Sequence, residues 1–205
     1  MTNPASPEPE LSPELTQDLD ADPALAAAVL EIESHIAAGG WDQPARLYAL
    51  VDTAQLVQRE PALAAAMGLD SSSAQGSLTP VEQDQLTPGQ PLEQVLESIT
   101  WPPGVAGCAA VVERLVLPPG ADDAIPDDPA SAEEFAREHP DRQEVRIVAG
   151  ATRGGSTYCA LRLRAHDDDQ SVVAGIDLVP ALLELLVATL QDEHEPDAGE
   201  NEEDR

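Results

Sequence analysis

The segment from residue 141 to residue 170 reads as two β-strands joined by a glycine-containing loop, and it constrains the fold more than any other stretch. Side chains alternate between the two faces of a strand, so odd-numbered and even-numbered residues lie on opposite faces. A two-residue turn at Gly154–Gly155 would mix charged and apolar side chains on both faces, which a half-buried sheet disfavours. A three-residue loop, 153–155, keeps one face apolar, and glycine supplies the positive φ that such a loop needs. It sets three pairs opposite one another: Val145 and Leu163, Ile147 and Leu161, Ala149 and Cys159.

The other face of this hairpin places Arg146 opposite Arg162, an unfavourable pair unless a third group neutralises it. Two interpretations stay open. An acidic neighbour such as Glu113 would neutralise the pair in a chain this acidic, and we favour that interpretation. The alternative is an anion site for a phosphate, a carboxylate or an acidic peptide. Its predicted ligand-binding residues are Arg146, Arg162 and Arg164, with Tyr158 stacking beside them.

Charge excludes two classes of partner. The chain has 39 acidic and 10 basic residues, no lysine, and a formal net charge of -29. Such a charge repels the phosphates of nucleic acids and anionic lipids, so we predict no nucleic-acid partner and no membrane-surface role. No apolar run is long enough to span a bilayer, and no basic residues precede an apolar stretch at the N-terminus. We therefore predict no membrane insertion and a cytoplasmic location.

The predicted fold is a single α+β domain at 22–191, with disordered acidic tails at 1–21 and 192–205. A mainly antiparallel sheet of about four strands is predicted at 46–51, 106–117, 143–152 and 156–165. Three or more helices pack against it, including 22–38, 91–99 and 178–191, on one face as in chaperone-like α/β sandwiches.

Several further features of the sheet and its helices follow from the pattern. The 106–117 strand is apolar at both parities over most of its length, so we expect it to be central and covered on both faces. The hairpin should pair beside it, whereas the position of the first strand stays open. Residues 71–89 read as a polar loop, in which 79–82 could open a short helix.

Asp177 is the predicted cap of helix 178–191, which is apolar on nearly every side. That helix is therefore either buried within the monomer or uses its spare face to form a homodimer.

No catalytic constellation is apparent, so a non-enzymatic role is favoured and no cofactor is predicted. Residues 150–157 lack the lysine and the following helix of a phosphate loop. The two cysteines are 51 residues apart, which fits neither a redox pair nor a zinc framework. One weak metal-site hypothesis remains, in which a divalent cation binds the consecutive side chains of His166, Asp167, Asp168 and Asp169.

Four segments together resemble a known family. They are GWDQPARLYALVDT (40–53), WPPGVAGCAAVVERLVLPP (101–119), HPDRQEVRIVAGATRGGSTYCALRLRAHDDD (139–169) and DLVPALL (177–183). The family is a group of actinobacterial proteins of unknown function with a propionibacterial prototype, and the resemblance spans about residues 22–191. It implies a bacterial cytoplasmic protein with one folded domain, and it carries over no catalytic residues.

The functional prediction is a binding, adaptor or chaperone-like protein that holds a peptide, a partner protein or a second copy of itself. The apolar helix 178–191, the abundant acid and the missing catalytic constellation motivate it. The alternative is a regulator that binds a small anion on the sheet face of Arg146 and Arg162.

Overall fold

The computed structural model describes residues 21–70, 72, 74–84, 86, 90–118, 120–121, 124–126 and 128–191. The acidic tails predicted at 1–21 and 192–205 therefore lie outside the described residues, apart from Ala21.

One antiparallel sheet of six strands forms the middle of the molecule, in the spatial order β2-β1-β3-β4-β5-β6. The strands are β1 (Arg46–Asp52), β2 (Leu78–Glu82), β3 (Gly107–Val116), β4 (Gln143–Thr152), β5 (Thr157–Leu163) and β6 (Val173–Gly175). The helices are α1 (Pro23–Ala37), α2 (Thr53–Arg59), α3 (Pro61–Ala66), α4 (Leu92–Ser98), α5 (Pro129–Glu138) and α6 (Pro180–Thr189). The α+β class is confirmed.

The predicted number of strands, about four, is too small, because both edge strands were missed. β2 lies in the stretch predicted as a polar loop, and it contains Pro80. Proline donates no ladder hydrogen bond, so an edge strand can accommodate it where a central strand would not. β6 has three residues and follows the acidic run. Neither strand shows the apolar alternation that identifies a half-buried strand in a sequence.

The predicted hairpin register is confirmed. Ala149 lies opposite Cys159, and Arg146 lies opposite Arg162. The amide of Thr152 donates to the carbonyl of Ser156 at 2.9 Å, which closes the three-residue loop. β4 also pairs with β3 along the full length of both strands, as expected for a hairpin beside the central strand. β1 occupies the other side of β3.

Helices cover both faces of the sheet, so the prediction of helices on one face is wrong. α1 packs on one face, over the even-numbered residues of β4 and β5. α4 and α6 pack on the opposite face, over the odd-numbered residues of the same strands. The first six residues of β3 are buried at both parities, and such a strand requires apolar partners above and below. The protein is therefore a three-layer α/β/α sandwich.

The last helix is shorter than predicted, and it is only partly covered. α6 begins at Pro180 rather than at residue 178, and its N-terminus has no side-chain cap, so the predicted cap at Asp177 is wrong. Leu183, Leu186 and Leu190 are buried against the sheet. Leu182 and Leu185, on the adjoining side, are only half-buried. The monomer thus buries one side of this helix, and the predicted homodimer stays a prediction.

Candidate functional site

An arginine cluster lies at the end of the sheet where β3, β4 and β5 meet the turn that follows α1. Arg146 is fully buried, and its Nη2 lies 2.8 Å from Glu113 Oε1. Its Nε donates to the same oxygen at 3.1 Å, and its Nη2 also bonds the carbonyl of Gly40. The guanidinium stacks over the ring of Trp41, 4.4 Å from its centroid. The acidic neighbour predicted for the arginine pair, Glu113, is thus confirmed for Arg146.

Arg162 is held by a different carboxylate. Its Nε and Nη2 donate to the two oxygens of Glu33 at 2.6 and 2.9 Å, and both side chains are almost completely buried. A second bond from Nη2 reaches Asp169 Oδ1 at 2.8 Å, and Nη1 approaches Asp167 at 3.4 Å. The hydrogen bond with Glu33 raises the pKa of Arg162. Because Glu33 comes from α1, this bidentate pair ties the helix to the sheet.

Arg164 forms the exposed part of the cluster. It donates to both oxygens of Asp42 at 2.9 Å and to Glu144 at 2.5 Å. The hydrogen bond from Arg164 holds the pKa of Asp42 below its usual value. The ring of Trp41 lies 5.6 Å from this guanidinium, and its Nε1 donates to Asp167 at 3.0 Å. Trp41 therefore contacts two of the three predicted arginines.

The predicted anion face is occupied by the protein's own carboxylates. Arg146, Arg162 and Arg164 do lie together, as predicted. Tyr158 is four residues from Arg162 along β5, about 13 Å at strand spacing, and it packs in the apolar cluster beneath α1. An incoming anion would have to displace Glu113 or Glu33. Within the arginine cluster, Nη1 of Arg146 is buried and has no hydrogen-bond partner among the described residues.

The acidic run after β5 is used for capping and ion pairing. Asp167 and Asp169 contact the cluster as described above, whereas Asp168 accepts from the amide of Gln170 and the hydroxyl of Ser171. That hydroxyl lowers the pKa of Asp168. His166 is exposed in a short 3-10 turn. Among the residues that the structure describes, no three His, Cys, Asp or Glu side chains converge as a metal-binding group. The metal hypothesis therefore gains no support from this geometry.

Sequence reasoning missed three members of the cluster: Glu33, Trp41 and Asp42. A signal for Glu33 was present, since it continues the helical stripe of Leu25 and Val29 at i+4 spacing. A carboxylate in an otherwise apolar stripe needs a buried cationic partner. No comparable pattern marks Trp41 or Asp42, which follow Gly40 in an irregular turn.

On the α4/α6 face, a half-open groove lies between the two helices and the sheet. Its volume is about 330 Å³. Its lining is mainly aliphatic, with one exposed ion pair in which Arg114 Nη2 lies 2.5 Å from Glu93 Oε1. The aliphatic residues that line it are Val112, Ile147, Val179, Pro180, Ala181, Leu182 and Leu185.

On the α1 face, a smaller cavity of about 230 Å³ lies between α1 and strands β1 and β2. Glu31, Ile32, His35, Tyr48, Pro80 and Glu82 line it. The hydroxyl of Tyr48 is buried and makes no hydrogen bond within the described residues.

Both cysteines are buried and have protonated thiols at neutral pH. Burial raises the pKa of Cys108 to about 11, and it also raises the pKa of Cys159. The Sγ of Cys108 lies 3.5 Å from the hydroxyl of Thr189. A thiol nucleophile needs a lowered pKa and access, and neither cysteine has them.

Comparison with known proteins identifies one family. A family model described as PPA1309-like protein matches residues 25–191. No curated protein and no solved structure matches the chain. Within the described residues, none of the helices is both long and apolar enough to span a bilayer.

Proposed function

The chain belongs to the family of PPA1309-like proteins, a name that carries no activity, and we propose that it is a non-enzymatic binding module of the cytoplasm. Its docking surface is the groove between α4 and α6, and its occupant is an apolar segment of a partner protein. The observation that carries the proposal is the half-open aliphatic lining of that groove, in which Leu182 and Leu185 of α6 are left half-buried. Contiguous apolar surface of this kind is typical of sites that bind proteins or ligands.

Charge favours a partner protein over a second copy. Two copies would each bring a net charge of -29, and their mutual repulsion opposes association. A partner segment with basic residues beside its apolar ones would instead be attracted. Helix-in-groove recognition, in which an amphipathic helix places its apolar side in a groove, fits a surface between two helices.

A matched pair of leucine variants tests this proposal. Leu182→Gln changes the groove, whereas Leu30→Gln makes the same change at an exposed leucine of α1 on the opposite face. Partners captured from a native lysate with the wild-type protein are identified and then titrated as purified proteins. We expect Leu182→Gln to weaken binding at least tenfold, and hydrogen exchange in the complex to show protection of α4 and α6.

Two results would overturn the proposal. A partner that binds Leu182→Gln and wild type equally would show that the groove is not its docking surface. A dimer that light scattering detects in the wild type, and that Leu182→Gln alone dissolves, would assign the groove to a second copy.

The second candidate is the regulator that binds a small anion through the arginine cluster. Its one favourable observation is the unpartnered Nη1 of Arg146. The other donors of Arg146 and Arg162 are bonded to Glu113 and Glu33, so binding would require breaking buried ion pairs. That cost ranks the anion regulator below the binding module.

A further inference from the structure

The cavity between α1, β1 and β2 contains a buried polar group that the fold does not use. Tyr48 is only 4 % exposed, and its hydroxyl lacks a hydrogen-bond partner within the described residues. Arg46 and Glu82 lie beside the hydroxyl and influence the Tyr48 pKa, but neither meets it in ordinary hydrogen-bond geometry, and the buried Nε of Arg46 also lacks a partner within the described residues. Phenylalanine would fill the same space without the cost of burying an unpaired hydroxyl. A buried polar atom that lacks a partner in a native fold requires an explanation, and ligand binding is one.

The residues around the hydroxyl favour a positively charged ligand. Glu31 and Glu82 contribute two carboxylates to the cavity lining, and the imidazole of His35 lies beside them. Arg46 pairs with Glu82 at 2.7 Å, which leaves the lining with one net negative charge. An anion would be repelled by this lining and by the strongly acidic surface of the protein.

The apolar lining and the volume of the cavity indicate what the ligand carries besides its positive charge. Ile32 and Pro80 are apolar, so they suit an aliphatic stem. A cavity of about 230 Å³ is smaller than most drug-sized sites and suits a single amino-acid side chain or a small amine. The hydroxyl itself is shielded from solvent. Because Glu31 and Glu82 are exposed, rotamer changes of these two side chains can open the path to it.

We propose that this cavity binds a primary ammonium group on a short aliphatic chain, through the hydroxyl of Tyr48 and the carboxylates of Glu31 and Glu82. The Tyr48 oxygen accepts a hydrogen bond from the ammonium, and the hydroxyl donates its own hydrogen to a carboxylate of the lining. Burial raises the pKa of Tyr48, so the hydroxyl keeps this proton at neutral pH. The ammonium belongs either to a free amine or to a lysine side chain of another protein. The site lies on the face opposite the α4/α6 groove and does not rest on the function proposed there.

The test is a titration with n-butylamine and with N-acetyl-lysine amide, followed by NMR, with n-butanol as the neutral control. We expect both amines to saturate the site and n-butanol not to bind. Tighter binding of n-butylamine assigns the site to free amines, and tighter binding of the lysine derivative assigns it to a lysine of a partner. Failure of both amines to saturate, or equal binding of n-butanol, overturns the proposal.

Three variants separate a specific site from general attraction to an acidic protein. Tyr48→Phe removes one oxygen without changing charge, and it should weaken amine binding about tenfold, equivalent to about 1.4 kcal/mol. It should unfold at the same or a higher temperature than wild type, because it removes an unpaired buried hydroxyl. Glu31→Gln should also weaken binding, whereas Glu97→Gln, an equal loss of charge at an exposed position of α4, should not. Unchanged affinity in Tyr48→Phe, or an equal loss in Glu97→Gln, refutes the site.

Discussion

The buried ion pair between Glu33 and Arg162 leads to a quantitative prediction, because its two partners are not equally replaceable. Arg162→Met leaves the Glu33 carboxylate buried, and the two hydrogen bonds that it accepts from Arg162 are lost. Glu33→Met leaves the guanidinium buried but still bonded to Asp169 at 2.8 Å. Removing one member of a buried ion pair lowers the free energy of unfolding by about 3–5 kcal/mol. The loss in Arg162→Met should therefore lie nearer the upper end of that range than the loss in Glu33→Met.

We expect Arg162→Met to lower the free energy of unfolding by about 4 kcal/mol and Glu33→Met by about 3 kcal/mol. For a chain of this length the larger loss corresponds to a decrease in Tm of about 12 °C. The double variant removes both charges and places two apolar side chains between α1 and β5. Its loss should be smaller than either single loss, about 1 kcal/mol, because two apolar side chains can replace a buried pair with little cost.

Urea denaturation of the four proteins in the double-mutant cycle, followed by circular dichroism, measures these losses. Arg114→Met is the control, since its ion pair with Glu93 is exposed and should contribute no more than about 1 kcal/mol. If the losses of the two single variants simply added in the double variant, the pair would not be coupled. Equal losses in the two single variants would refute the role assigned to Asp169.

Three further predictions concern other parts of the molecule. Arg164 lowers the pKa of Asp42, so its stabilising effect is present above the ordinary value of 3.8 and is lost as the pH falls through the lowered value. Asp42→Asn should therefore destabilise the protein at pH 7 in urea denaturation, and the difference should disappear in strong acid. Cys108, with its pKa of about 11, should not react with an aromatic disulfide reagent at pH 8 until urea unfolds the protein. Gly150→Ala would place a Cβ 2.7 Å from Val29 Cγ2, and we expect a loss of about 2 kcal/mol by thermal denaturation.

The hairpin was predictable from the sequence because a shift of one residue would have moved charge into the core. Its apolar face and its short loop allow one register, and Ala149 does lie opposite Cys159. β2 was not predictable in this way, since an edge strand that contains Pro80 lacks a periodic apolar signal. The sequence of β3 indicated that both faces of the sheet are covered. Its residues are apolar at both parities, and such a strand requires helices above and below the sheet. The interpretation of one covered face conflicted with that pattern.

The candidate site was predictable only in part. The position of the arginines followed from strand parity, whereas their partners came from distant stretches of the chain. Glu33 lies 129 residues from Arg162 and Asp42 lies 122 residues from Arg164, so local spacing carries no information about these contacts. Trp41, whose ring contacts two guanidiniums, comes from an irregular turn that a periodic pattern does not reveal.

The two faces of the sheet differ in how firmly their helices are held, and this difference bears on where a partner would act. α1 has an Asp22 cap, a buried stripe along its length and the Glu33 ion pair into β5. Its close approach to Gly150 leaves no space for a side chain there. α6 has no side-chain cap, and Leu182 and Leu185 are half-buried. Binding surfaces come from the less stable parts of a fold, so a change induced by a partner is expected at α6, while α1 keeps the sheet fixed.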